Sequence, residues 1–80
     1  MMLDTPTRTN ANAAELKVGD VLLNVGGLRY RVMRPPVPTQ KNKDGSPAEV
    51  SVAVEGYKSG LRNTLYFEAE TSLLISRVTP

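Results

Sequence analysis

Two short runs, residues 21–25 and 28–32, carry apolar side chains at every second position and meet at Gly26-Gly27. Alternation with period two is the pattern of a half-buried strand, and a Gly-Gly pair supplies the positive φ values that a two-residue hairpin turn requires. The spacing therefore predicts a β-hairpin with Val25 opposite Leu28, Leu23 opposite Tyr30 and Val21 opposite Val32 on its inward face. Asn24 with Arg29, and Leu22 with Arg31, take the outward face. A slip of one residue would destroy that sorting.

A second hairpin is predicted from Val50 to Phe67, connected through residues 57–60. Val50 faces Phe67, Val52 faces Leu65 and Val54 faces Asn63, while Ser51 meets Tyr66, Ala53 meets Thr64 and Glu55 meets Arg62. Residues 70–74 read as a short helical turn before a last strand at 75–78. Asn12 caps one helical turn over residues 13–17. The N-terminal residues 1–15 read as a flexible tail, because Thr, Asn and Pro dominate residues 4–12 and large apolar side chains are missing there. Residues 35–49, with Pro35, Pro36 and Pro38 followed by a polar run, read as a long exposed loop. Residues 16–80 then form a single domain. Short strands joined locally, each with one apolar face, are most simply accommodated by a small curled barrel of about five antiparallel strands, an all-β fold.

Composition narrows the chemistry. The 80 residues include no Cys and no His, which removes disulfides, thiolate metal sites, the usual catalytic base and the commonest zinc ligand. Glu68 and Glu70 share strand parity but have no pocket or metal motif to make them an acid–base pair. The serines lack a base to activate them. Asp20, after Gly19, reads as a turn residue bonding nearby backbone. The chain is thus expected to be a non-enzyme without cofactor or metal. No apolar run approaches the roughly 20 residues of a membrane span, and residues 1–12 lack the pattern of a secretory signal, so the expected location is the cytoplasm.

The stretch Leu16-Lys17-Val18-Gly19-Asp20-Val21, followed by Gly27-Leu28-Arg29-Tyr30-Arg31-Val32, resembles the opening strands of SH3-like small β-barrels, including the KOW-like first domain of translation elongation factor P. The resemblance continues through Lys43-Asp44-Gly45-Ser46-Pro47-Ala48-Glu49-Val50, where that family has a basic loop leading into its third strand. It extends to Gly60 and Phe67, placed like the family's turn glycine and following phenylalanine. It covers about residues 16–78 and implies an SH3-like barrel with nucleic-acid contacts. The loop here is longer and richer in proline. Lys41 and Lys43 lie near the family's modifiable loop lysine, and neither matches its position.

Ten Lys and Arg against eight Asp and Glu give a formal charge of only +2, so attraction to nucleic acid depends on whether the cations cluster. Arg29 and Arg31 fall on the outward face of the second strand and Tyr66 on that of the fourth. Together with Arg34, Lys41, Lys43, Lys58 and Arg62 they form the candidate nucleic-acid-binding set, since guanidinium groups contact phosphates and aromatic rings stack on bases. Cations on an outer strand face also simply keep that face solvated. Tyr57, beside Lys58, is open to either packing or recognition. The expected function is a small binding module for RNA or DNA. The alternative is a protein-binding adaptor or inhibitor of the kind phage and plasmid genomes encode, acting on a host protein or on a second copy through a strand edge or the proline-rich loop.

Overall fold

The computed structural model describes residues 6–78, so the ends of the tail and domain expectations, 1–5 and 79–80, lie outside the described residues. Seven strands form one antiparallel sheet curled into a half-barrel: β1 (Pro6–Asn12), β2 (Val21–Val25), β3 (Leu28–Val32), β4 (Val37–Lys41), β5 (Pro47–Gly56), β6 (Arg62–Glu68) and β7 (Ser72–Val78). Neighbours run β1, β7, β2, β3, β5. The ten-residue β5 carries β3 against its C-terminal end, β4 along its N-terminal half and β6 along its other edge. Strands β6 and β7 are joined by a corner, where the Ala69 N–H donates to the Ala48 carbonyl at 2.9 Å and the Ala69 carbonyl accepts from Ala14 N–H at 3.1 Å. Among the described residues no helix is long and apolar enough to cross a membrane.

The all-β expectation and the second hairpin agree with the structure. All six predicted partner pairs, from Val50 with Phe67 to Glu55 with Arg62, are present in β5 and β6. The first hairpin turns at Gly26-Gly27, with φ of 60° and 81°, and Val25 faces Leu28. Its register then departs from the expectation. Val21 pairs with Arg31 and Leu22 with Tyr30, leaving Leu23 and Asn24 both opposite Arg29 in a β-bulge. Asn24 is engaged by the turn itself, its Oδ1 accepting the Gly27 N–H at 3.1 Å. The bulge exchanges the faces, so Leu22 is fully buried, whereas Val21 and Leu23 are only half-buried. Leu22 pairs on its far side with Ile75 of β7, and Val32 pairs with Val54 of β5. With Val50 and Val52 these side chains form the centre of the core.

Three other expectations are corrected. Residues 6–12 are paired with β7 from Pro6–Val78 to Asn12–Ser72, and are not a free tail. Small side chains suffice because a strand is held first by its ladder; Ala11 and Ala13 are buried where the strand enters the core. Residues 35–49 are not a single loop: β4 pairs with β5, so that β3 and β4 behave as one long arm interrupted at residues 33–36. The tip of that hairpin is tied by Asn42 N–H to the Ser46 carbonyl at 2.8 Å and by Ser46 N–H to Asp44 Oδ1 at 2.9 Å. All of β4 is nonetheless exposed, and Pro38 is tolerated there as in edge strands generally. Residues 72–74 belong to strand β7 and are not helical, and β1 and β4 raise the expected five strands to seven. The turn after β1 is a 3₁₀ turn, Ala13–Glu15, with no side-chain bond from Asn12.

Asp20 does more than bond its own turn. Its Oδ2 accepts the Lys17 N–H at 2.8 Å, as expected, but the side chain is also buried and paired with Arg77 of β7 in a two-pronged bond, Nε to Oδ1 at 2.9 Å and Nη2 to Oδ2 at 2.7 Å. Its carbonyl accepts the Val32 N–H at 2.8 Å, and Gly19 N–H donates to the Val32 carbonyl at 2.9 Å. One residue thereby joins the turn before β2, the end of β3 and the last strand. Burial works against the ionised carboxylate, yet the Arg77 bond and the Lys17 N–H outweigh it and hold Asp20 below the ordinary carboxylate range.

Two outcomes follow for stability. Leu22→Ala is expected to cost about 2–5 kcal/mol in urea unfolding through the cavity it leaves; Leu23→Ala should cost clearly less, and the reverse order would contradict the bulge. Because Asp20 titrates lower in the folded than in the unfolded chain, its contribution is complete above about pH 5 and declines as pH falls through about 4 and below the folded value. Arg77→Ala is expected to destabilise the domain by about 3–5 kcal/mol at neutral pH, by stranding a buried carboxylate, and to flatten that acid limb when unfolding is followed against pH.

Candidate nucleic-acid interface

Pairing of three strands sets a charged row on the outer face. Arg31 of β3 faces Glu55 of β5, which faces Arg62 of β6. Their neighbours Val32 and Val54 point into the core, so alternation turns this row outward. Glu55 lies between two cations, yet among the described residues the ion pair within 4.0 Å is Asp20–Arg77. Arg31 instead covers the Tyr57 ring, its guanidinium carbon 5.2 Å from the ring centroid, a cation–π arrangement.

The turn that presents Tyr57 is tied to the sheet at several points. Tyr57 N–H donates to the Arg29 carbonyl at 2.9 Å, Gly60 N–H to the Gly56 carbonyl at 2.9 Å, and Gly56 N–H to the Leu61 carbonyl at 2.8 Å. Ser59 Oγ accepts the Leu61 N–H at 3.2 Å. A Cβ at Gly56 would meet that Ser59 hydroxyl, so a side chain there would require the hydroxyl to turn away from the Leu61 N–H. The turn therefore fixes Tyr57 and Lys58 beside β3.

Beneath it opens a cleft of about 760 Å³ at the uncovered end of the half-barrel. Leu28, Tyr30, Tyr57 and Leu61 supply its apolar surface, and Arg29, Lys58 and Arg62 its cations. A shallower depression of about 350 Å³ adjoins it, with Arg34 and Arg62 on its border.

Of the residues singled out from sequence, Arg29, Arg31, Arg34, Lys58 and Arg62 thus gather at one end of the molecule. Tyr66 is exposed on the outer face, opposite Ser51, whose other neighbour is Val37. It is four residues along β6 from Arg62, about 13 Å at the usual strand rise. Lys41 pairs with Pro47, eight residues along β5 from Glu55 and so about 26 Å from the cluster, and Lys43 lies beyond it at the hairpin tip. These three do not join the cleft.

Sequence reasoning missed the cleft itself. Leu28 was expected in the core, but the half-barrel is open at this end and leaves it 59% exposed. Leu61, directly after the turn glycine, is 73% exposed, and a leucine at a turn was the available signal. Among the described residues no group of three or more His, Cys, Asp or Glu side chains is placed to hold a metal ion. Comparisons with protein-family models, with curated proteins and with solved structures found no match for this chain, so the reading of the site rests on its own geometry.

Proposed function

We propose that the chain is a non-catalytic nucleic-acid-binding module that engages phosphates with Arg29, Arg31, Arg34, Lys58 and Arg62. The observation that supports this is charge segregation. Half of the ten cations surround the cleft end, where among the described residues Glu55 is the one acidic neighbour, while the acids Asp44, Glu49, Glu68 and Glu70 belong to the opposite end. A net charge of +2 spread evenly would attract a polyanion weakly; concentrated on one face, the same cations provide a local field. Guanidinium groups are also suited to two-pronged phosphate contact. The resemblance of about residues 16–78 to SH3-like, KOW-like barrels supports the same reading at the level of fold alone.

The adaptor alternative, in which a strand edge binds protein, has less support. Of the three strands paired on one side only, β1, β4 and β6, the exposed β4 carries Pro38 and Lys41, residue types that discourage addition of another strand.

Fluorescence anisotropy with labelled RNA and DNA tests the proposal. Affinity should fall linearly in log salt, with a slope no steeper than about −4.5, because five cations neutralise at most five phosphates. Replacing Arg29 and Arg62 with Gln should sharply weaken binding while leaving the thermal melt nearly unchanged, since both side chains are exposed and Gln sets no like charge opposite Glu55. Lys41→Glu with Lys43→Glu should alter it far less. Absence of binding at about 50 mM salt, where electrostatic association is strong, would transfer support to the adaptor reading.

A further inference from the structure

We infer that the cleft beneath the 57–60 turn receives an unpaired nucleobase, so that the module selects single-stranded over duplex nucleic acid. The inference rests on the nucleic-acid reading above and adds to it the strand form recognised. Phosphate contact alone does not require the cleft, and its apolar lining is left unused by the core. Leu28, Leu61 and Tyr57 are 59%, 73% and 48% exposed, although each is large and apolar enough to stabilise the fold if buried. They converge on one concavity whose volume, about 760 Å³, lies within the roughly 300–1,000 Å³ of small-ligand clefts.

The polar groups around that concavity select the occupant. Arg29, Lys58 and Arg62 border the apolar surface, which suits a flat aromatic group carried on an anionic chain. Asn63 also lines the cleft, and its Oδ1 accepts the Thr64 N–H at 2.8 Å, which leaves the NH₂ end to meet a base carbonyl. Tyr57, braced by Arg31 and by its own backbone bond to Arg29, is held where a ring can stack without first being ordered. Bases within a duplex are stacked on one another and cannot enter such a cleft; an unpaired base can.

The test compares wild-type protein, Tyr57→Ala, Tyr57→Phe and Leu61→Ser. Each is titrated by anisotropy into a single strand of about 12 nucleotides, a duplex of the same sequence and an acidic peptide of poly-glutamate. Both sites are exposed, so the variants should remain folded, which circular dichroism checks. Tyr57→Ala should weaken single-strand binding roughly 5- to 140-fold, the equivalent of one lost stack, and leave duplex binding unchanged. Leu61→Ser should act in the same direction, and Tyr57→Phe should retain wild-type affinity.

Equal losses on both strand forms would mean that Tyr57 acts only by holding Arg31, and would overturn the inference. Wild-type binding of duplex as tight as single strand would overturn it too, while leaving phosphate binding by the cluster intact. Poly-glutamate binding as tight as the oligonucleotide would reduce the site to a general anion surface. Failure of the wild type to bind either nucleic acid would remove the nucleic-acid reading and this inference together.

Discussion

Asp20 is buried to 2% exposure in a domain whose other fully buried side chains are aliphatic, and it is charged. A lone carboxylate in that position would be expelled or protonated, so the site exists only while Arg77 and the Lys17 N–H meet it. Those partners come from opposite ends of the described chain, 57 residues apart in the case of Arg77. Glu15 joins the same arrangement, its carbonyl 3.5 Å from Arg77 Nη2, and Val32 bonds both Gly19 and Asp20 through its backbone. The bond thus ties the open sheet together at one point: it joins β7 to the turn before β2, meets the end of β3 and contacts the 3₁₀ turn that follows β1. In a domain this small, where few large side chains are buried, breaking such a lock by removing one partner would be costly, because it leaves a buried charge uncompensated.

From that lock the geometry of the cleft follows by strand pairing. With β3 held at Val32, its register on β5 places Arg31 beside Glu55, and the exact match of β5 to β6 then places Arg62 in the same row. The long β5 serves both ends of the molecule. Its C-terminal end, between β3 and β6, carries the basic cluster; its N-terminal half supports the exposed β4 hairpin, where acids are more frequent. A single strand of ten residues, about 33 Å at the usual rise, therefore separates the two charge regions.

The cleft is a consequence of incomplete closure. A barrel sealed at this end would bury Leu28 and Leu61 and leave Tyr57 as a packing residue. Instead the tightly bonded 57–60 turn stands against β3 through Tyr57 and leaves the apolar surface below it open. Order and exposure coincide here: Tyr57 N–H ties the turn to Arg29 and Gly60 N–H ties it to Gly56, while its side chains stay exposed.

The second hairpin was legible in the sequence because its two strands contain no irregularity, so that a single alternation sorts every side chain from Val50 to Phe67. The turn at Gly26-Gly27 was equally legible, since only glycine adopts both positive φ values without strain. The bulge was not, because local alternation rates Leu22 and Leu23 equally well; what favours Leu22 is Ile75, more than fifty residues away, together with the buried Asp20 two positions before it. For the same reason β1 and β4 were hidden: their polar and proline-containing sequences carry no strand pattern, and they are strands only because β7 and β5 offer them partners. Local pattern thus set the two hairpins, their turns and the register of the second, along with the number and sign of the charges. Tertiary structure decided which charges stand together and which leucines stay exposed, because both depend on the pairing of strands distant in the chain and on where the curled sheet stops short of closing.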